Sequence, residues 1–278
     1  MRALEMVEAW PVDHRAVAFG PIDAEDKDVT TSGPTDRPFA WASVTKLATA
    51  LALLVAVEEG TVSLDEPSGP PGSTVRHLLA HASGMAPEPG PPLAPPGARR
   101  IYSNAGFGVL GELIAERSGM PFDQYLTHGV LEPLGMHGTS LANGGPVSPA
   151  AAGLAGPLVD LVALGHELAT PTLVSAETLR EATTPQFGDL GGVLPGFGRF
   201  DPCPWGLGIE IRGAKQPHWT GRLNSPQTYG HFGQTGSFLW IDPVARVLCC
   251  GLGDQPFGLW ARRSWPLLAD AVLAEAGV

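Results

Sequence analysis

Two residues that can act together in acyl transfer stand three positions apart. On a helix, the side chains of Ser43 and Lys46 would lie on one face about one turn apart. Residues 47–57 are all Leu, Ala, Val or Thr, so this helix has no polar face and is expected to be buried. Burial favours the neutral form of a lysine amine. A neutral amine beside a serine hydroxyl is a general base beside a nucleophile.

A structural interpretation of the same pair is also open. Ser43 could cap the helix through its side chain, and Lys46 could extend its charge to solvent along an apolar stem. The spacing Ser-x-x-Lys is common by chance, so the pair alone does not decide between capping and catalysis. Lysine is rare in this chain, which favours catalysis; the lysines are Lys27, Lys46 and Lys215.

The helix that carries this pair is predicted over residues 43–59. Gly60 follows it, and glycine commonly ends helices because it accepts a positive φ. A second helix is predicted over residues 105–118, where apolar residues recur at helical spacing before Gly119. Further helices are predicted over residues 75–82, 122–130, 158–169, 176–183 and 265–276.

Extended segments are predicted near both ends of the chain, with the helices between them. They are residues 16–19, 39–41, 206–211, 229–232, 237–241 and 247–252, and Asp242-Pro243 opens the turn between the last two. This order predicts an α/β (α+β) fold with an antiparallel sheet lobe flanked by helices and an inserted all-helical lobe. The sheet lobe would comprise residues 1–60, including the Ser43 helix, and 205–278, and the helical lobe residues 61–204.

Composition excludes several classes of partner. The chain has 278 residues and a formal net charge of −11, which argues against nucleic acids and anionic membrane surfaces. Its three cysteines form neither a disulfide framework nor a metal-binding spacing. Residues 1–12 lack the pattern of a signal peptide, and the longest apolar run is too short to span a bilayer. A cytoplasmic protein that does not bind membranes is expected, and its oligomeric state is left open.

Two other patterns bear on a site. His77 and His81 are four residues apart and could share a metal ion, but no third ligand stands nearby. The alternative is that a histidine at a helix end bonds the backbone of the following loop. The proline-rich segment 85–98 is predicted to be a stiff surface loop that walls a cleft, and the glycine-rich segment 187–200 a second rim.

Three short motifs occur in a fixed order along the chain. They are Ser43-x-x-Lys46, Tyr102-Ser103-Asn104 and His231-Phe232-Gly233. Together they resemble the superfamily of serine β-lactamases and penicillin-binding proteins, over residues 38–254. The match is to the branch that holds class C β-lactamases, D-alanyl-D-alanine carboxypeptidases and family VIII carboxylesterases.

The resemblance implies a role for each motif residue. Ser43 would be the nucleophile, and its backbone N–H would hold the oxyanion together with the N–H of Gln234, the residue after Gly233. Tyr102 would relay protons, and a nearby cation such as Lys46 would have to lower the pKa of its phenol for it to act as a base. Asn104 would bond both Lys46 and the substrate.

The third motif departs from the pattern of lactamases and peptidases. Those enzymes usually have a lysine where this chain has His231, and a neutral histidine is a weaker partner for a substrate carboxylate. An alignment of Gln234-Thr235-Gly236 as the third motif is rejected, because Gly233 stands at the better distance before the next strand. His231 and Gly233 are therefore predicted to help bind the substrate.

The expected function is a serine acyl hydrolase that forms an acyl-enzyme on Ser43. Its substrate would be a small ester or amide, with β-lactam hydrolysis as a weaker activity, and it would use no metal or cofactor. Two alternatives remain, a non-catalytic penicillin-binding or sensor module and an acyltransferase that uses the same residues.

Overall fold

The computed structural model describes residues 2–23, 29–142 and 147–278. Its helices are α1 (Arg2–Glu8), α2 (Thr45–Glu58), α3 (Val75–Leu79), α4 (Asn104–Ser118), α5 (Phe122–Leu126), α6 (Pro149–Ala152), α7 (Leu158–Ala169), α8 (Ala176–Ala182) and α9 (Leu259–Glu275). Its strands are β1 (Arg15–Pro21), β2 (Thr30–Ser32), β3 (Phe39–Ala40), β4 (Ser140–Leu141), β5 (Leu154–Gly156), β6 (Gly192–Leu194), β7 (Gly198–Phe200), β8 (Glu210–Ile211), β9 (Tyr229–Gly233), β10 (Ser237–Asp242) and β11 (Val247–Gly253).

A six-stranded sheet joins the two ends of the chain. The strand order is β2-β1-β11-β10-β9-β8, and every neighbouring pair is antiparallel. In the β1–β11 pair, Arg15 lies opposite Gly253 and Pro21 opposite Val247. Two small antiparallel sheets, β3-β5-β4 and β6-β7, accompany it. The predicted fold class, an antiparallel sheet flanked by helices in a mixed α/β chain, is confirmed.

Both faces of the large sheet are covered, because successive strand residues point to opposite sides. On one face, Cys250 joins a core that also contains the buried side of α2. On the other face, Cys249 joins a tryptophan-rich core against α1 and α9. This two-sided burial explains why β9, β10 and β11 consist entirely of buried residues.

The helix that carries the candidate amine is buried almost throughout, as its composition predicts. It begins later than expected, because a 3₁₀ turn at Ala42–Val44 precedes the first α-helical residue, Thr45. Lys46 is buried completely, in the first turn of α2. Gly60 follows the helix with a φ of +74°, the conformation for which glycine is favoured.

Several short elements were not predicted. They are α1, β2, α6, the small sheet strands β4 and β5, and the β6–β7 hairpin. Strands of two or three residues are too short to show a hydrophobic period, and α6 begins with a proline in a Gly/Pro/Ala-rich stretch. The strand predicted over residues 206–211 is formed only at Glu210–Ile211.

The proposed division into lobes stays a prediction. Helix α7 lies within residues 61–204, yet it packs on β1, β10 and β11 of the large sheet. Gly165 of α7 allows this close approach, since a Cβ there would lie 3.0 Å from the Leu239 side chain.

Among the residues that the structure describes, none of the helices has the length and apolar character that a membrane crossing requires.

Candidate active site

The Ser43 hydroxyl is presented on a tight turn and not used as a helix cap. Ala42, just before it, has a φ of +44°, a conformation that costs free energy for any residue with a Cβ. Neither the 3₁₀ turn nor α2 has a side-chain hydrogen bond at its N-cap. Ser43 is half-buried and lines a cavity, so its hydroxyl is accessible to a small molecule.

Lys46 is held by three oxygen atoms around its amine. The Nζ atom lies 3.3 Å from Ser43 Oγ, 2.8 Å from Asn104 Oδ1 and 2.9 Å from the backbone oxygen of Ala151. Burial lowers the pKa of Lys46 to about 7, although the negative charge of Glu88 acts in the opposite direction. About half of the amine is therefore neutral at neutral pH.

These contacts orient the lone pair of the neutral amine. A neutral lysine amine has two N–H bonds and one lone pair. The carbonyl oxygens of Asn104 and Ala151 can only accept hydrogen bonds, so they take both N–H donors. The lone pair then faces the remaining neighbour, the Ser43 hydroxyl, which can donate its proton to it. The geometry suits a base acting on Ser43.

Tyr102 lies next to both Ser43 and Lys46. The Lys46 Nζ atom lies 4.8 Å from the centre of its ring. Burial raises the pKa of the Tyr102 phenol, and a hydrogen bond with the Ser43 side chain opposes this only in part. The condition under which Tyr102 would act as a base, a pKa lowered by a nearby cation, is therefore not met. The phenol therefore stays protonated at neutral pH and could serve as a proton donor.

Asn104 links the amine to the proline-rich loop. It is the first residue of α4, whose N-cap is the Ser103 side chain accepting from the Gly106 N–H. Its Oδ1 accepts from Lys46, and its Nδ2 donates to Glu88 Oε1 at 2.9 Å. Glu88 belongs to the segment 85–98, which forms neither helix nor strand, as predicted. The proline-rich loop thus contacts the site through the Glu88 carboxylate, which accepts the hydrogen bond from Asn104.

The hairpin of β9 and β10 is fastened to the segment just before the nucleophile. Ser237 Oγ donates to the Trp41 oxygen and Thr235 Oγ1 to the Ala40 oxygen, each at 2.7 Å. Gly233 makes this approach feasible, because a Cβ there would lie 2.4 Å from the Trp41 oxygen. Gly233 was predicted to help bind the substrate. The structure gives it a steric role as well, because only a residue without a side chain leaves room for the Trp41 oxygen.

Gln234 and Ser43 both line the cavity. Its side chain and its backbone oxygen both bond Phe257, which holds the residue at the end of β9. Within residues 2–23, 29–142 and 147–278, its backbone N–H donates to no protein group. The Gln234 N–H is thus available to a bound molecule, and its pairing with the Ser43 N–H as oxyanion donors stays a prediction.

His231 projects from β9 into the same cavity and is buried. Its Nδ1 lies 2.7 Å from the backbone oxygen of Phe232. Burial lowers the pKa of His231 to about 3, and the charge of Lys46 acts in the same direction. The ring is therefore neutral at pH 7. Its Nε2 has no hydrogen-bond partner among the described residues.

The cavity has a volume of about 380 Å³ and mostly apolar walls. Leu194 and Pro195, from the β6–β7 hairpin, form one rim, so the glycine-rich segment 187–200 borders the cleft as predicted. Trp205 and Phe232 also line it. A cavity of this size suits a small acyl substrate with few polar groups.

The paired histidines His77 and His81 are used structurally. His77 forms a capping box with Thr74 and stacks on Phe187. His81 Nδ1 accepts the Ser103 N–H at 3.2 Å, which is the loop contact predicted for a helix-end histidine. No group of three or more metal-ligating side chains occurs within the described ranges.

Three contributors to the site were missed from the sequence. Ala151 acts through its backbone oxygen, so its side chain carries no signal. Glu88 stands in a proline-rich loop whose path no pattern predicts. Glu210 lines the cavity on a two-residue strand, where its buried carboxylate pairs with Lys215 and His218. Burial alone would raise the pKa of Glu210, but these two neighbours lower it to about 2.

Comparisons with known proteins agree on one family. The sequence pattern of the Beta-lactamase family matches residues 11–253. A protein of Salmonella enteritidis, named as a proposed D-alanyl-D-alanine carboxypeptidase, is 30% identical over 200 residues, or 58% of this chain and 46% of that protein. The chain thus spans about half the length of the curated relatives it matches.

Solved structures extend the similarity to the whole chain. The crystal structure of a beta-lactamase from Mycobacterium bovis is 51% identical, with a TM-score of 0.95 and coverage of 99% of this chain and 100% of that one. A hydrolase with promiscuous acyltransferase activity has a TM-score of 0.79 at 18% identity, with coverage of 98% and 96%. The second comparison is evidence for the fold alone.

Proposed function

Because this chain belongs to the Beta-lactamase family, whose members are generally serine hydrolases, we propose that it hydrolyses small esters through an acyl-enzyme on Ser43. One observation carries the proposal. The two acceptors around Lys46 occupy its N–H bonds and leave its lone pair facing the Ser43 hydroxyl.

In the proposed acylation, Ser43 Oγ attacks the substrate carbonyl carbon while its proton passes to the Lys46 amine. The developing oxyanion lies between the backbone N–H groups of Ser43 and Gln234. The Tyr102 hydroxyl then protonates the leaving alcohol oxygen as the C–O bond breaks, and the Lys46 ammonium returns its proton to Tyr102. The alcohol departs, and every protein group except Ser43 regains its starting state.

Deacylation runs by the same groups in the opposite direction. A water molecule attacks the acyl carbon, and the pair of Lys46 and Tyr102 takes up its proton. That proton passes to Ser43 Oγ as the acyl–serine bond breaks, which releases the carboxylic acid. Asn104 supports both steps because it holds the Lys46 amine in place and offers its amide to the substrate. These steps use only side chains and backbone of the chain.

Hydrolysis of β-lactams is a second candidate, since the Mycobacterium bovis protein that is 51% identical is named a beta-lactamase. Most β-lactams carry a carboxylate, and His231 is an uncharged group where a cation would bind it. We therefore propose esters as the main substrates and β-lactams as weaker ones. A non-catalytic binding or sensor module and an acyltransferase remain the alternatives. A cytoplasmic location remains a prediction.

Steady-state and burst kinetics test this proposal. Wild-type protein should release p-nitrophenol from p-nitrophenyl acetate with repeated turnover and hydrolyse a chromogenic cephalosporin more slowly. Ser43→Ala should lose essentially all turnover, because it removes the hydroxyl that would accept the acyl group. The matched control is Ser140→Ala, an exposed serine on β4, which should keep the wild-type rate.

The alternatives give different results in the same assay. A single burst without turnover, with a stable acetyl adduct by mass spectrometry, would indicate a sensor module. Turnover that rises with added alcohol, together with formation of a new ester, would indicate an acyltransferase. Equal rates for wild type and Ser43→Ala would contradict the mechanism altogether.

A further inference from the structure

The contact between His231 and Phe232 determines which ring nitrogen carries the proton. A backbone carbonyl oxygen can only accept, so the His231 Nδ1 that lies 2.7 Å from it must be the N–H donor. In the neutral ring the other nitrogen, Nε2, is then unprotonated and has a lone pair. Because the ring is 3% exposed, this lone pair is a buried hydrogen-bond acceptor with no partner in the described structure.

The surroundings of Nε2 disfavour an anion. The cavity that His231 lines is bordered by Trp205, Phe232 and Glu210, and the Glu210 carboxylate is paired with Lys215 and His218. The described residues that line it include neither lysine nor arginine. A substrate carboxylate placed here would meet a lone pair and no cation among the lining residues, whereas a hydroxyl or N–H would satisfy the unpartnered nitrogen.

The position of His231 indicates which part of a substrate it meets. Its ring centre lies 5.8 Å from that of Tyr102, the proposed proton donor to the leaving group. Asn104, by contrast, adjoins Lys46 and Glu88 and faces the proline-rich loop. His231 is thus a neighbour of the group that would protonate the departing alcohol.

From this geometry we infer that the site selects esters whose leaving alcohol carries a second hydrogen-bond donor, such as the monoacyl ester of a diol. This inference rests on the proposed ester hydrolysis and specifies its substrate class. His231 is a specificity-determining residue in this arrangement. It accepts the free hydroxyl of the departing diol and discriminates against a carboxylate at the same place.

Three acetate esters that share one acyl group provide the test. They are 2-hydroxyethyl acetate, propyl acetate, which replaces the hydroxyl with a methyl group, and acetoxyacetate, which has a carboxylate. All three give the same acetyl-enzyme, so differences in kcat/KM report acylation alone. In wild type, kcat/KM should be highest for the hydroxyethyl ester and lowest for acetoxyacetate.

The variant His231→Leu removes the acceptor and keeps an apolar side chain. The ratio of kcat/KM for hydroxyethyl to propyl ester should fall about tenfold, the worth of one buried hydrogen bond of about 1.4 kcal/mol. A ratio taken within one protein sample is independent of the folded fraction, so partial misfolding does not obscure it. An unchanged ratio, in enzyme whose turnover still requires Ser43, would overturn the inference and leave the proposed hydrolysis standing.

A measurement without turnover tests the same assignment. The ¹⁵N resonance of an unprotonated imidazole nitrogen lies far downfield of a protonated one, and His231 can be assigned by its loss in His231→Leu. At pH 7 its Nε2 should give the unprotonated signal, which should move upfield as 2-hydroxyethyl acetate is added to Ser43→Ala protein. A signal that is already protonated, or that does not respond to the ester, would contradict the inference.

Discussion

The side-chain amide of Asn104 donates a hydrogen bond to Glu88, 2.9 Å away, and this contact determines which end of the amide faces Lys46. With Nδ2 turned to the carboxylate, Oδ1 is left to accept from the lysine amine. A residue of the proline-rich loop therefore acts on the proposed base in two ways. It orients the neighbour of Lys46, and its charge raises the pKa of Lys46 against the effect of burial.

Replacing Glu88 by Gln should shift the pH dependence of turnover. Removal of the negative charge lowers the pKa of Lys46, so the acid limb of kcat/KM should move to lower pH. Because Glu88 is exposed, the displacement should be only a few tenths of a pH unit. The control is Glu112→Gln, an exposed acid on α4 with no contact to Asn104, whose profile should match wild type. A profile of Glu88→Gln that moves to higher pH would contradict the assignment.

The acid limb itself should belong to Lys46. The amine must be neutral to accept the Ser43 proton, and the neutral fraction increases with pH until it levels off above the pKa. We therefore expect kcat/KM to rise about tenfold per pH unit below about 7 and to become flat above it. The pKa of His231 is about 3 and that of His81 is also lowered, so neither ring contributes in this range.

Lys46→Arg tests the assignment directly. A guanidinium stays protonated at all accessible pH values, so the variant should lose about 10²- to 10⁴-fold in kcat/KM and should no longer show a limb near pH 7. The measurement is a pH profile with p-nitrophenyl acetate, together with a thermal unfolding curve to verify the fold. A variant that retained the limb would assign it to another group.

Tyr102→Phe should reveal proton donation through its dependence on the leaving group. An alkyl alcohol must be protonated as it departs, so kcat/KM for propyl acetate should fall about 10²- to 10³-fold. p-Nitrophenolate leaves without a proton, so the loss for p-nitrophenyl acetate should be much smaller. Tyr125→Phe, whose hydroxyl bonds Glu59 away from the cavity, is the control for loss of a phenol. Equal losses for both esters would argue for a packing role of Tyr102 instead.

Gly233→Ala should impair turnover through the backbone. A Cβ at this position would lie 2.3 Å from Ser237 Oγ and 2.4 Å from the Trp41 oxygen, so β9 must move away from the Ser43 turn. The Gln234 N–H would move with it. We expect a fall of about 1–3 kcal/mol in the free energy of unfolding and a larger proportional loss of kcat. Denaturant titration and kinetics measure these, with Gly129→Ala, which meets only ordinary contacts, as the control.

The sequence predicts the elements that carry strong periodicity. Helices α2, α4 and α7 and strands β9 to β11 are long or continuously apolar, and their predicted bounds agree with the structure within one or two residues. The helix α1 and the strands of two or three residues were missed because they depend on contacts with other segments. Helix α1 packs on α9, and the short strand β5 pairs with β3, far away in the sequence. Tertiary contacts stabilise such elements, and local preference does not indicate them.

The candidate site shows the same division. Residues with distinctive chemistry, such as Ser43, Lys46 and Tyr102, can be selected by type and spacing, and the structure brings them together. The Ala151 carbonyl that orients the Lys46 amine could come from any residue, so no side-chain pattern marks it. The protonation states also depend on burial, which raises the pKa of Tyr102, so the lowered pKa that a base role would require is not reached.

The pairing of β1 with β11 has a consequence for how the protein is made. Arg15 and Gly253 are neighbours across the sheet, yet one leaves the ribosome more than two hundred residues before the other. Until β11 emerges, one edge of β1 has unpaired backbone groups, and its apolar side chains are exposed. The β9–β10 hairpin, which carries His231 and ends beside Gln234, has no larger sheet to join during this time. Long-range pairing of this kind slows folding and prolongs exposure to aggregation. Yield in the cell should therefore depend on chaperones that shield the nascent chain.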